Sequence, residues 1–404
     1  MTSAAPPAAN PGRSLGALLL VTTPIRVLLN TTFRMVYPFL PAFSRGLGVP
    51  VETLTLLLSA RSALSLVSPV FGLVPDRFGR RVAMTAGLGL FTASLGLAAL
   101  APSLATFVAA LFGVALAKLL FDPALLAYLG DRTRYAQRGL VIALSEIGWS
   151  GATLAGIPLL GLLLAGGDWR APFAPLAALG LLAMWGIWRI IPAQTPPAGR
   201  GPAQPLFAGV IALFRQPALL GAMSLGLLTA MANELLNIAY GQWLEGTFNL
   251  QIAALGASVI VIGLAELAGE GAVAALSDRL GKRRLVLAAG ALSAAAYLAL
   301  PFLPARLELA LAGVFLAYFA YEATIVGSLP LLSELQPAAR GLLLSTNVLF
   351  SGLGRMLGGA LGGALFHVGF GWVGGLAAGL NLVMLLVVWR LVPDIKPTPA
   401  APVA

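Results

Sequence analysis

The chain alternates between long apolar blocks and short groups of charged residues, glycines and prolines. A hydrocarbon layer about 30 Å thick needs about 20 mostly apolar residues for one helix to cross it. The blocks are continuous and lack the in-and-out alternation over about ten residues that a membrane β-barrel requires. They therefore predict an all-α membrane protein with 12 transmembrane helices, at residues 15–43, 52–74, 82–100, 104–129, 139–165, 171–191, 218–243, 253–276, 285–303, 308–332, 341–366 and 371–392.

The composition agrees with this pattern, since 59% of the residues are hydrophobic and 10% are charged, with a mean hydropathy of +0.91. These values exclude a soluble globular enzyme. The chain has no Cys and one His, His367, so we expect no disulfide, metal site or cofactor, and a membrane-embedded enzyme is disfavoured. The net charge of +10 does not indicate nucleic acid, because the basic residues lie in short loops, where they contact lipid headgroups.

The spans divide into two groups of six, separated by the Pro- and Gly-rich segment PAQTPPAGRGPAQP. Most Lys and Arg residues lie on the side shared by this segment and both tails. By the positive-inside rule that side is the cytoplasm of a bacterial-type inner membrane. We predict a cytoplasmic tail at 1–14, a six-helix bundle at 15–192, a cytoplasmic linker at 193–217, a second bundle at 218–393 and a cytoplasmic tail at 394–404.

A short charged pattern occurs once in each group of spans. The loop after span 2 reads DRFGRR from Asp76, and the loop after span 8 reads DRLGKR from Asp278, 202 positions later. The same offset separates Arg138 and Arg340, each followed by Gly-Leu at the start of spans 5 and 11. Two patterns with one offset indicate duplicated halves related by an axis along the membrane normal, which is the symmetry of an alternating-access carrier.

These patterns resemble those of the major facilitator superfamily, whose signature is a Gly, three residues and then Asp-Arg-x-Gly-Arg-Arg. The resemblance implies the major facilitator fold, with two pseudo-symmetric six-helix bundles. It also implies a gate in which Asp76 lies against the start of span 11 and Asp278 against the start of span 5, because a helix N-terminus stabilises a carboxylate. The residues assigned to this conformational gate are Gly72, Asp76, Arg77, Gly79, Arg80, Arg81, Arg138, Asp278, Arg279, Gly281, Lys282 and Arg340.

Within the superfamily the chain looks most like the proton-coupled efflux branch. Span 5 carries a loose version of that branch's Gly-Pro antiporter pattern, in Gly148, Gly151, Gly156, Pro158 and Gly161. The chain departs from the family at Ala274, which replaces the leading Gly of the second signature, and in span 4, where Lys118 replaces an Arg and Asp122 replaces a Gly. The signature arginines have an alternative explanation to a role in the gate: they only set the orientation in the membrane, as the positive-inside rule describes.

Eleven ionisable residues fall inside the predicted spans, where each charge costs about 2.5 to 3.5 kcal/mol on insertion scales. They lie on spans 1, 2, 4, 5, 7, 8, 10 and 11, and on none of spans 3, 6, 9 and 12. The resemblance implies that these eight spans line a central cavity and that the other four face lipid. The residues are Arg26, Arg34, Arg61, Lys118, Asp122, Glu146, Glu234, Glu266, Glu270, Glu322 and Arg355.

The first half supplies most of the basic residues and the second half most of the acidic ones. We assign substrate binding to Arg34, Arg61, Lys118, Arg355, Asn30 and Tyr37, and proton coupling to Glu266, Glu270, Glu322, Glu234 and Asp122. Glu266 and Glu270 lie four residues apart on one helical face and are expected to share a proton. The alternative is that the charges form standing ion pairs, Lys118 with Asp122 and Arg355 with a glutamate.

The sequence thus favours a monomeric secondary transporter that exports a small amphiphilic, anionic or zwitterionic compound in exchange for protons. Arg26 and Arg34 on span 1 favour such cargo, because exporters of cationic compounds in the efflux branch typically carry acids there. Two alternatives stay open: proton-coupled uptake of a sugar or organic acid, and a carrier-like sensor that does not transport.

Overall fold

The computed structural model describes residues 15–72, 74–133, 145, 147–193, 216–303, 305–335 and 340–394. These residues form helices joined by turns and short loops, and the helices are numbered here by the predicted span to which they belong. They are Leu15–Arg34 and Leu40–Leu47 (span 1), Val51–Ser62, Ser68–Gly72 and Val74–Phe78 (span 2), Arg80–Leu100 (span 3), Leu104–Arg132 (span 4), Ile157–Leu164 with the preceding π turn Ala152–Gly156 (span 5), Phe173–Ile190 (span 6), Pro217–Phe248 (span 7), Ile252–Leu280 (span 8), Lys282–Ala299 (span 9), Leu307–Leu335 (span 10), Arg340–Val368 (span 11) and Phe370–Leu391 (span 12).

The described helices confirm the predicted all-α membrane fold. Eleven of them are long and apolar enough to cross a membrane, and the number becomes twelve if the bent pair Leu40–Leu47 and Val51–Val67 counts as one span. Spans 6 and 12 expose large side chains such as Leu182, Trp185 and Trp389. Because exposed apolar side chains of this size need an apolar solvent, these two spans suit a lipid-facing position.

Span 1 is not the continuous helix predicted at 15–43. Its first helix ends at Arg34, residues 35–39 form turns, and a second helix begins at Leu40. Pro38 and Pro41 explain the break, because proline lacks a backbone N–H and disfavours the helical conformation of the residue before it. The break brings the carbonyl of Pro38 so close to Gly241 of span 7 that a Cβ at Gly241 would have no room.

Span 2, predicted as one helix at 52–74, begins as the helix Val51–Ser62, tightens to a 3-10 turn at Ala63–Val67 and continues in the helical segments Ser68–Gly72 and Val74–Phe78, on either side of residue 73, which lies outside the described residues. Pro69 explains the tightened turn, because proline has no backbone N–H with which to make the regular helical bond to the carbonyl four residues earlier. The apolar pattern predicted the position of this span correctly but carried no information about its internal breaks.

The duplicated signature adopts the same backbone in both halves. Gly79 and Gly281 precede spans 3 and 9 with φ angles of 86° and 83°. This left-handed region strains any residue with a Cβ, so glycine is required at both positions. The equivalent arginines act alike: Arg81 donates to the carbonyl of Trp188 at 2.9 Å, and Arg283 donates to that of Trp389 at 2.6 Å.

Two side chains of the predicted gate bind residues of their own half. Arg80 donates to the carbonyl of Ala127 in span 4, and Lys282 pairs with Glu334 in span 10. The gate contacts between halves stay predictions, because the side chains of Asp76, Asp278 and Arg340 and the whole of Arg138 lie outside the described residues. The remaining members of the set lie in helical segments of spans 2 and 8, namely Gly72, Arg77 and Arg279.

The two halves pack closely near the loops that follow odd-numbered spans, around residues 48–50, 101–103, 165–172, 249–251, 303, 305–306 and 369. We call this end the odd-loop face and the opposite end the even-loop face. Near the odd-loop face Gly161 of span 5 meets Gly256 of span 8, and a Cβ on either would lie 3.0 Å from the Cα of the other. The Arg45–Glu245 ion pair and a hydrogen bond between His367 and Glu52 also join the halves at this face.

Candidate functional site

A cavity of about 420 Å³ lies between the halves. Its lining comes from spans 1 and 5 of the first half and from spans 7, 8, 10 and 11 of the second, and combines aromatic rings with ionisable and amide groups. A cavity of this size and mixed character is typical of a site for a small organic ligand. The lining residues are Phe33, Arg34, Tyr37, Trp149, Asn233, Glu234, Asn237, Glu266, Glu270, Tyr318, Tyr321, Glu322, Ile325, Val326, Leu329 and Arg355.

The cavity lies on the even-loop side of the close contacts between the halves. Arg34 and Tyr37, where span 1 breaks, form its limit toward the odd-loop face. Leu329 and Glu270 extend the lining toward the even-loop ends of spans 10 and 8. The two halves are therefore closed against each other between the cavity and the odd-loop face.

Arg34 and Glu266 form an ion pair that joins the two halves at the cavity. The guanidinium donates to both carboxylate oxygens, at 2.7 Å and 3.3 Å, and both side chains are nearly buried. Thr153 of span 5 lies 3.2 Å from the same carboxylate, and the Arg34 guanidinium lies 4.7 Å from the ring centre of Trp149. The predicted sharing of a proton between Glu266 and Glu270 stays a prediction; the partner that the structure gives Glu266 is Arg34.

A second connection between the halves runs through hydrogen bonds beside this pair. Tyr37 of span 1 donates to Glu234 of span 7 at 2.7 Å, and Asn237 donates to the other oxygen of Glu234 at 3.1 Å. Tyr318 of span 10 donates to Asn237 at 2.5 Å, and Arg61 of span 2 donates to the Tyr37 hydroxyl at 3.0 Å. Buried polar groups satisfied in this way hold one arrangement strongly, so the network fixes the closed end of the cavity.

Glu322 lies on the span 10 side of the cavity and is 8% exposed. Gly269 of span 8 allows this position, because a Cβ at Gly269 would lie 2.9 Å from the Glu322 Cβ. Glu322 faces the charges of Glu266, Glu270, Arg34 and Arg355. The cavity therefore contains a cluster of carboxylates contributed by two adjacent spans of the second half.

Arg355 of span 11 is the other basic residue of the lining. Its side chain forms a hydrogen bond with Tyr321 and faces the charge of Glu234. The predicted alternative, a standing ion pair of Arg355 with a glutamate, stays a prediction; the hydrogen-bond partner that the structure gives Arg355 is the Tyr321 hydroxyl.

Four residues predicted to bind substrate or protons lie behind the lining, inside the first half. Lys118 binds Asp122 with an N–O distance of 2.9 Å and also donates to Asn30. Asn30 in turn donates to the carbonyl of Gly148 at 3.0 Å. Arg61, the fourth, contacts two lining residues: it donates to the Phe33 carbonyl at 2.8 Å and to the Tyr37 hydroxyl. The sequence showed that these residues are intramembrane but not which way they point, and the standing pair Lys118–Asp122 is the arrangement found.

We expect Lys118→Met to destabilise the protein, because it leaves Asp122 without its closest cation. Removing one partner of a buried pair costs about 3 to 5 kcal/mol, and Arg26, 3.7 Å from Asp122, should keep the loss near the lower end. The measurement is the thermal unfolding midpoint in detergent. The double variant Lys118→Met with Asp122→Asn should lose less than the single variant, and an equal or greater loss would contradict the assignment.

Six aromatic and amide residues of the lining were not predicted from the sequence, namely Phe33, Trp149, Asn233, Asn237, Tyr318 and Tyr321. The two amides carried a usable signal, because Asn233, Glu234 and Asn237 place three polar groups on adjacent turns of an apolar span. The aromatic residues carried none, since rings in apolar spans are ordinary packing residues. Among the described residues, no group of three or more His, Asp or Glu side chains is arranged to hold a metal ion.

Comparison with known proteins gives a family match over most of the chain. The sequence model of the Major Facilitator Superfamily matches residues 23–231 and again residues 222–404, so that each half matches separately. The two matches agree with the duplication indicated by the repeated signature.

Individual proteins and a solved transporter structure are also similar to the chain. The uncharacterized MFS-type transporter YceJ of Bacillus subtilis is 25% identical over 349 residues, covering 85% of this chain and 87% of YceJ. A chloramphenicol resistance protein of Streptomyces lividans is 27% identical over 252 residues, covering 62% of this chain and 64% of that protein. The crystal structure of a D-xylose-proton symporter superposes with a TM-score of 0.74 at 16% identity, covering 95% of this chain and 99% of that one, which shows a shared fold.

Proposed function

Because this chain belongs to the Major Facilitator Superfamily, and is therefore a multi-pass membrane transporter of small molecules and not an enzyme, we propose that it exports a small amphiphilic compound in exchange for protons. The observation that carries the proposal is the buried Arg34–Glu266 pair, which joins the two halves at the wall of the cavity. A carboxylate there can bind either the cation of the opposite half or a proton.

The pair couples proton binding to the opening of the odd-loop face. Opening that face separates span 1 from span 8 and so separates Arg34 from Glu266. Leaving both charges buried and unpaired is costly, but a proton on Glu266 removes one of them. Protonated Glu266 therefore favours opening of the odd-loop face, and ionised Glu266 favours the closed arrangement described above.

The orientation in the membrane follows from the basic residues. Arg45, Arg170 and Arg306 lie at the odd-loop face, whereas most other loop Lys and Arg residues lie at the opposite end. The positive-inside rule then places the odd-loop face outside and both termini in the cytoplasm of a bacterial inner membrane. The described arrangement is thus closed toward the outside, and cargo enters the cavity of a single monomer from the cytoplasm.

The cavity lining indicates the chemistry of the cargo. Five aromatic rings provide an apolar surface, and Arg355 provides a cation whose hydrogen-bond partner is the neutral Tyr321 hydroxyl. This combination suits an amphiphilic compound with an anionic or zwitterionic group. The similarity to a chloramphenicol resistance protein supports the direction of transport, export, and says nothing about the charge of the cargo.

The test has two steps. A thermal-shift screen of anionic, zwitterionic and cationic compounds on the purified protein at two pH values finds a compound that stabilises it. That compound is then loaded into proteoliposomes whose two faces are distinguished by protease treatment, with acid on the odd-loop side. We expect the gradient to drive the compound out through the odd-loop face.

Other outcomes contradict the proposal. Movement of the compound in the same direction as protons would establish proton-coupled uptake, for which the fold shared with a D-xylose-proton symporter is the relevant parallel. Binding without any gradient-driven movement would establish the carrier-like sensor.

A further inference from the structure

Thr153, which the sequence patterns do not single out, lies behind the cavity wall in contact with the lining residue Glu266. Its side chain is fully buried in span 5, on the π turn Ala152–Gly156, where the N–H of Ile157 donates to the carbonyl of Ala152. Pro158 explains why the helix widens here, because its ring has no N–H and cannot make the regular helical bond. Such turns rotate the residues within them and are frequent at functional sites.

The Thr153 hydroxyl lies between two acceptors. Its Oγ1 is 2.9 Å from the carbonyl oxygen of Ser150 and 3.2 Å from a carboxylate oxygen of Glu266. A hydroxyl has one proton to donate and lone pairs with which to accept. Thr153 can therefore donate to ionised Glu266, or donate to Ser150 while it accepts the proton of a carboxylic acid at Glu266.

The ability of the Thr153 hydroxyl either to donate to Glu266 or to accept from it matters because Glu266 is only 2% exposed. An unpaired polar group in such a place carries its full desolvation cost. Arg34 cannot accept the O–H of a carboxylic acid at Glu266, since a guanidinium has donors and no acceptor. The other titratable groups facing Glu266 are Tyr318 and Glu322 on span 10, with Glu270 one turn away on its own span.

We propose that Thr153 is a positioning residue that serves both protonation states of Glu266, donating to the carboxylate and accepting from the carboxylic acid. The inference rests on the proposed function, because it takes Glu266 to be the group that binds the proton. It requires a hydroxyl at position 153 and no other feature of the threonine side chain.

The test is infrared difference spectroscopy of the purified full-length protein between acid and neutral pH. The carbonyl stretch of protonated Glu266 is identified as the band that Glu266→Gln removes. We expect Thr153→Val to move this band to higher frequency, because the acid loses its hydrogen-bond acceptor. Thr153→Ser should leave the band in place. The matched control is Thr324→Val, whose hydroxyl is equally buried but binds only the carbonyl of Ala320 in its own span, and which should also leave the band in place.

Two outcomes would overturn the proposals, and they differ. An unchanged Glu266 band in Thr153→Val, or an equal shift in Thr324→Val, overturns the role of Thr153 and leaves the proposed function standing. Absence of any band that Glu266→Gln removes shows that Glu266 does not bind the proton, and so overturns the coupling site of the proposed function itself.

Discussion

Glu266→Gln is expected to abolish proton-driven transport while leaving exchange of cargo across a membrane without a gradient. Glutamine is neutral at all pH values, so the variant resembles the protonated state permanently and no longer distinguishes the two sides of the gradient. The buried Arg34 loses its charged partner, which costs about 3 to 5 kcal/mol in the closed arrangement. We expect gradient-driven transport in proteoliposomes to fall about 100-fold or more, since each 1.4 kcal/mol corresponds to a factor of ten.

The chain offers a matched control for this variant. Arg45 and Glu245 also join the two halves with an N–O distance of 2.7 Å, but the Arg45 side chain is 58% exposed. Exposed pairs contribute about 0 to 1 kcal/mol, so Glu245→Gln should transport at close to the normal rate. Equal losses in both variants would mean that the ion pair at the cavity acts only as one more contact between the halves.

Gly256→Leu is expected to prevent closure of the odd-loop face. The Cα of Gly256 packs against Gly161, and a Cβ there would lie 3.0 Å from the Gly161 Cα and 3.2 Å from the ring of Phe39. A leucine at this contact between backbones has no flexible neighbour to displace, so the halves must separate. We expect transport to fall about tenfold or more, because even about 1.4 kcal/mol against closure has that effect on the population of the closed state.

The control for this variant lies on the same span. Gly271 has open space where its Cβ would be, so Gly271→Leu should transport normally. Because the chain has no cysteine, a single cysteine introduced at Trp149 in the cavity reports accessibility to an impermeant thiol reagent. Gly256→Leu should increase labelling from the odd-loop side. Unchanged labelling with normal transport would show that transport does not require the contact between Gly161 and Gly256.

The sequence predicted the positions of regular spans within a few residues. Span 6, predicted at 171–191, is Phe173–Ile190, and span 12, predicted at 371–392, is Phe370–Leu391. The bilayer imposes one length and one apolar composition on such spans, and both are visible in a single sequence. The breaks in spans 1 and 2 were missed because the prolines that cause them lie within otherwise apolar blocks.

The site was predictable as a set of residues but not as an arrangement. A charge inside an apolar span is visible without a structure, and Arg34, Glu266 and Glu322 were found in that way. Which charges meet was not visible, because Arg34 and Glu266 are 232 positions apart. Lys118 was assigned to substrate for the same reason, since the sequence does not distinguish a residue that faces a cavity from one that packs inside one bundle.

The central claim is that the protonation state of Glu266 selects which face of the protein is open. Its most direct test uses spin labels on cysteines introduced in pairs at exposed positions. One pair replaces Ala101 and Ala305 at the odd-loop face, and the other replaces Ala193 and Pro393 at the even-loop face, so that each pair reports one distance between the halves. Neutralising Glu266, by acid or by Glu266→Gln, should lengthen the first distance and shorten the second. Two distances that stay the same in Glu266→Gln and across pH would contradict the account.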